Sequence, residues 1–175
     1  MTNTKNAMNF GAILGLSLCV VSAIFMSLGY FDSGYKELIL SIVTIIIISW
    51  GTISFREKEN EGFISYITAF KSCFLIVFYS SIILAFFQYL YFNFIDQVFI
   101  DSFIATAEND LIQKQMSDEE VEFNMKGIRY VITPIGYPVL LLFSNCVRGA
   151  IFGLITAAFL KRENTNFNNF IKENQ

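Results

Sequence analysis

The sequence predicts an all-α membrane protein: four transmembrane helices, with amphipathic helical segments in the loop between the third and the fourth. Three observations predict it. Hydrophobic residues make up 54% of the chain and charged residues only 15%. The apolar residues come in long unbroken runs, not in the stripes of a soluble core. Each run is long enough, as a helix rising about 1.5 Å per residue, to cross a hydrocarbon layer of roughly 30 Å.

The first span covers residues 10–31, after a short polar start that carries Lys5. A signal peptide is the competing reading. The run exceeds a usual signal core, however, and no small-x-small cleavage pattern follows it. Gly11, Gly15, Ser22 and Gly29 project from one narrow sector of this helix, a small-residue seam suited to packing. Residues 32–37 read as a polar turn containing Gly34. The second span covers residues 38–55, with Trp50 near its end, where an aromatic belt residue belongs.

Residues 56–62 form a charged loop, and residues 63–71 lead into the third span, residues 66–95. Lys71 lies close enough to the entry to snorkel out as an anchor. Tyr89, Tyr91, Phe92 and Phe94 crowd the far end and read as an aromatic girdle. Residues 96–129 are the outer loop. Val98, Phe99, Phe103, Ile104, Ala107 and Leu111 recur at helical spacing, which predicts an amphipathic helix lying on the membrane or on the bundle. Ser117 followed by Glu120 is a capping-box pattern, so a second helix is expected to start there. Acids outnumber basic residues in this loop. It is either a solvated face or a mouth that attracts cations.

The last span covers residues 134–160, entered at Pro134 and Pro138 and stopped by Lys161 and Arg162. One of its faces gathers Ser144, Asn145, Arg148, Gly149, Phe152, Gly153 and Thr156, and is expected to point into a bundle. Gly149 and Gly153 form a GxxxG pair, read as ordinary helix packing or as a seam for a partner. A polar, Asn-rich tail follows over residues 161–175.

Arg148, near the middle of that span, is the most informative residue. A central arginine costs roughly 2.5–3.5 kcal/mol on insertion scales. It either marks a functional site or snorkels and caps carbonyls inside the bundle. Its side chain should lean toward the start of its helix, away from Lys161. No span interior as drawn holds an acid. Arg148, Asn145, Ser144 and Gln88 therefore form the candidate intramembrane polar site, with any counter-charge coming from a lipid phosphate, a small anion or another subunit.

Composition closes other routes. A net charge of −3 without a basic aromatic patch excludes nucleic acid as a partner. The chain has no histidine, the commonest general base and metal ligand. Cys19, Cys73 and Cys146 fall one each in three apolar runs, which suits buried free thiols better than a disulfide or metal site. No metal, cofactor or catalytic residue is expected, and no enzyme.

A single four-span domain is expected over residues 1–175. Lys5, Arg56, Lys58, Lys71, Lys161, Arg162 and Lys172 would share one side, against Lys36, Lys114, Lys126 and Arg129 on the other. The positive-inside rule then places both termini in the cytoplasm.

Four stretches carry a family resemblance: Ser65-Tyr66-Ile67-Thr68-Ala69-Phe70-Lys71, Tyr91-Phe92-Asn93-Phe94-Ile95-Asp96, Met116-Ser117-Asp118-Glu119-Glu120, and Ala157-Ala158-Phe159-Leu160-Lys161-Arg162. In this order and spacing the chain resembles a bacterial family of small four-span membrane proteins known only as a domain of unknown function. The family often has Pro after the Asp matching Asp96, where this chain has Gln97. The resemblance implies four spans and a membrane location. It implies no activity and no catalytic residues.

Two roles remain in view. One is a structural or accessory protein that packs with itself or with another membrane protein, in contact with membrane lipids. The other is a small transporter or channel subunit that uses Arg148 as an anion-binding or gating site.

Overall fold

A computed structural model of the chain describes residues 3–29 and 34–162, and the expected polar tail beyond Arg162 lies outside the described residues. The fold is all-helical. α1 spans Asn3–Ser27, α2 Gly34–Glu59, α3 Tyr66–Leu90, α4 Phe99–Gln113, α5 Asp118–Val131 and α6 Gly136–Leu160, with a π turn at Tyr91–Ile95 after α3. Four helices are long and apolar enough to cross a membrane: Asn3–Ser27, Gly34–Glu59, Tyr66–Ile95 and Gly136–Leu160.

The helices outrun the hydrophobic runs. α1 starts at Asn3 rather than at residue 10, and α2 extends to both sides of residues 38–55, through Glu37 at its start and Arg56 to Glu59 at its end. Hydropathy marks where a helix meets hydrocarbon, whereas intrahelical hydrogen bonds continue into the interface. The turn read over residues 32–37 is therefore corrected: from Gly34 onward the chain is helix.

Contacts gather into two units, Met1–Ile83 with Asn145–Gln175, and Leu84–Ser144. In the first unit, small residues set the approach of the helices. A methyl group built on Gly11 would stand 2.7 Å from Cβ of Tyr79, and one on Gly15 2.9 Å from Cβ of Ile83, so α1 runs parallel to α3 at close range. The corresponding contacts of Gly149 with Val77 and of Gly153 with Cys73 run in opposite order, so α6 lies antiparallel to α3. α2 joins through Asn6 Nδ2, which donates to the Gly51 carbonyl at 2.9 Å, and through Thr52 Oγ1, 3.2 Å from Cys73 Sγ. Phe10 meets Trp50 edge-on at 5.3 Å, while Trp50 keeps an exposed face.

The Arg56 end of this unit is closed by backbone. Gly62, with φ of 82°, sits in the turn after α2, where a left-handed conformation suits a residue without Cβ. Ile64 and Arg162 then exchange hydrogen bonds at 2.8 and 2.9 Å. Phe55, Ile64, Ala69 and Ala157 pack into a small core beneath them. Ser65 caps α3, its Oγ accepting from the Thr68 N–H at 3.3 Å.

The second unit is built on aromatic stacking. Phe92 is fully buried and stacks on Phe99 at 4.5 Å, and Tyr137 packs against Phe92, Phe99 and Phe103. The girdle read over Tyr89, Tyr91, Phe92 and Phe94 thus divides: Phe92 is core, and Phe94 is exposed. The π turn makes this possible. The Asp96 N–H reaches back five residues to the Tyr91 carbonyl at 2.9 Å, which rotates the chain and shifts the following side chains off the α-helical register. α5 opens on the expected capping box. The Ser117 N–H donates to Glu120 Oε2 at 2.9 Å, and Ser117 Oγ accepts from the Glu120 N–H at 3.4 Å.

Candidate functional site

Arg148 stands midway along α6 and its guanidinium reaches toward the start of that helix, as the tilt of helical side chains requires. Nη2 donates to Asn145 Oδ1, one turn earlier on the same face, and Nη1 donates to Glu37 Oε2. The ion pair is partly shielded: 30% of the Arg148 side chain and 56% of the Glu37 side chain are exposed.

Glu37 corrects the expectation that the counter-charge comes from outside the chain. Two causes place it there. It lies in the first turn of α2, where the helix dipole favours an acid. It also precedes Leu40, Thr44, Ile48 and Gly51 at helical spacing, so it shares the face that α2 buries. That spacing was visible in the sequence. Hydropathy hides it, because a charged residue beside Gly34 reads as part of a polar turn outside the span.

Below the ion pair, Arg148 and Asn145 line a cavity of about 10 Å³ with Leu18, Thr44, Val77, Ser80 and Ser81. Its hydroxyl protons are committed to backbone. Ser80 and Ser81 both donate to the Val77 carbonyl at 2.8 Å, and Thr44 donates to Leu40 at 2.7 Å. The lone pairs that remain are acceptors, matched to a guanidinium that carries five donors and no acceptor. A water molecule needs roughly 10–15 Å³ of such space, so the cavity is water-sized at most. Chemically, this arrangement holds one permanent positive charge beside one carboxylate, partly shielded between α2 and α6.

The other residues singled out from sequence fall in three places. Gly11, Gly15, Gly149 and Gly153 lie at helix contacts within the first unit, and Ser22 is fully buried there. Gly29 is different. It is exposed, has φ of 76° and, among the described residues, has no neighbour within 4 Å of where a Cβ would stand. It ends α1 through its N–H bond to the Met26 carbonyl at 3.1 Å, so its absent side chain serves a helix stop and not a seam. Ser144 and Gln88 belong to the second unit. Ser144 is exposed. Gln88 is buried, and its side-chain oxygen has no hydrogen-bond partner among the described residues.

Among the described residues, no group of three or more His, Cys, Asp or Glu is placed to hold a metal ion. Cys19, Cys73 and Cys146 are free thiols. In the acid-rich loop, Arg129 pairs with Glu108 at 3.3 Å and Lys126 with Glu122 at 2.9 Å, so basic side chains sit among the acids.

A family described as "Protein of unknown function (DUF4199)" matches residues 9–162. No curated protein and no solved structure matches the chain.

Proposed function

We propose that this chain, which belongs to the DUF4199 family of unknown function, is a structural or accessory membrane protein rather than an enzyme or a solute carrier. One observation carries the reading: the central arginine is neutralised within its own chain, beside a cavity of about 10 Å³. Anion selection by a pore needs a charge that faces an aqueous path. Here the guanidinium is held by Glu37 and Asn145 instead, and acts as an internal strut between α2 and α6.

The bundle's glycine faces support the same view. Gly149 and Gly153 receive α3 side chains, so they order the protein's own helices. A partner, whether another membrane protein or a second copy, then meets the remaining lipid-facing surfaces. The cluster of basic residues at the Arg56 end supports a topology with both termini in the cytoplasm.

The test is flux and composition measured on one preparation. The full chain, purified gently from its native membrane, should carry a stoichiometric membrane-protein companion or form a defined oligomer. Reconstituted in vesicles, it should conduct no chloride or phosphate above protein-free controls. Anion flux that is lost in Arg148→Gln would overturn the accessory reading and establish the alternative, Arg148 as an anion or gating site.

A further inference from the structure

α2 and α6 are tied at two levels and separate between them. Toward one end the tie is the Glu37–Arg148 ion pair. At the other, Arg56 Nη1 donates to the Leu160 carbonyl at 3.2 Å. Between these levels runs a groove of about 280 Å³, walled by Ile45, Ser49, Phe152, Ile155, Thr156 and Phe159 and ending at Leu160. We propose that this groove binds one acyl chain of an anionic phospholipid, whose headgroup is held at the Arg56–Lys161 end.

Length supports a lipid over a helix. From Phe152 to Leu160 the groove follows α6 for about 12 Å at 1.5 Å per residue. One leaflet of a hydrocarbon core roughly 30 Å thick is about 15 Å deep. The groove therefore runs from the headgroup level, where α6 ends, to about the middle of the membrane, and stops below the ion pair. A single acyl chain fits that depth. A transmembrane partner helix needs a seam through both leaflets.

Charge decides the headgroup. The groove opens where α6 gives way to Lys161 and Arg162, beside Arg56 of α2. Among the described residues at this end of the unit, the basic ones are Lys5, Arg56, Lys58, Lys71, Lys161 and Arg162, and the acidic ones are Glu57, Glu59 and Glu61. Glu57 offsets part of Arg56, with which it pairs at 2.8 Å. Lys161 is exposed at the groove's mouth. Each basic side chain near a membrane surface favours an anionic lipid by about fivefold. The excess of positive charge thus selects an anionic headgroup over a zwitterionic one.

The test is native mass spectrometry of the full chain in mild detergent. The chain is stripped of lipid and offered equal amounts of phosphatidylglycerol and phosphatidylcholine with identical acyl chains. One phosphatidylglycerol per chain should be retained, preferred by about tenfold or more. Lys161→Gln should cut the preference by about fivefold. Ser49→Phe, which fills the groove, should abolish retention, and Ile155→Phe gives the same test should Ser49→Phe fail to fold. Ile151→Phe, an exposed α6 position outside the groove, should leave retention unchanged. Equal retention of the two lipids, or retention that survives both groove-filling variants, would overturn the proposal. A lipid-free dimer broken by Ile155→Phe would assign the groove to a second copy of the chain and overturn it equally.

Discussion

Removing Glu37 should cost more than removing Arg148. The pair ties the first turn of α2 to the middle of α6. Two unit charges about 4 Å apart attract by about 4 kcal/mol at an effective dielectric of roughly 20. Partial exposure of Glu37 reduces that toward the smaller values of exposed pairs, leaving about 2 kcal/mol net. Glu37→Gln strands a permanent cation at mid-helix, so it should lower stability by about 2 kcal/mol. Arg148→Leu removes the charge and recovers the insertion cost of a central arginine, roughly 2.5–3.5 kcal/mol. That gain offsets the lost pair, and Glu37 can hydrate at its helix start. Arg148→Leu should therefore lie within about 1 kcal/mol of the parent, and the double variant close to it. The assay is reversible unfolding in mixed micelles, followed by circular dichroism across the full double-mutant cycle. A coupling energy under about 0.5 kcal/mol, or an Arg148→Leu penalty equal to that of Glu37→Gln, would refute the strut.

Two further outcomes follow from local geometry. Gly149→Ala would set its Cβ 2.3 Å from Cγ1 of Val77, and should cost about 1–3 kcal/mol in the same unfolding assay. Val77→Ala in that background should recover part of the loss, while Gly153→Ala, at 3.3 Å from Cβ of Cys73, should cost less. In α5, the hydrogen bonds from Ser117, first its backbone N–H and then its hydroxyl, hold the Glu120 carboxyl below the usual range. A lowered folded-state value means that the cap contributes fully above about pH 4.3, the unfolded carboxyl range, and is lost as pH falls through the folded value. Amide exchange in the first turn of α5 should accelerate over that acid window. Ser117→Ala should be faster at neutral pH and flatter with pH, and an unchanged profile would count against the cap.

Local chemistry was legible from sequence wherever neighbours along the chain decide the outcome. The uninterrupted apolar runs announced four helices able to cross a membrane. Ser117 and Glu120 announced their capping box, since both partners lie within one turn. The family resemblance was carried by short stretches spread over most of the chain, and residues 9–162 match that family. Helix limits were less legible, because hydropathy reports the hydrocarbon boundary and not the last intrahelical bond.

Tertiary structure decided what distant residues do for one another. Gly29 and Gly15 look alike on a helical projection. One ends a helix in the left-handed region and the other receives Ile83. Phe92 and Phe94 look alike in an aromatic cluster, until the π turn sends one into a stack with Phe99 and leaves the other exposed. Above all, the sequence by itself determined that a central arginine needs a partner, because an unpaired charge in hydrocarbon is costly. Only the docking of α2 against α6 decided that the partner is Glu37, 111 positions away, since pairing depends on depth and facing that no one-dimensional spacing encodes.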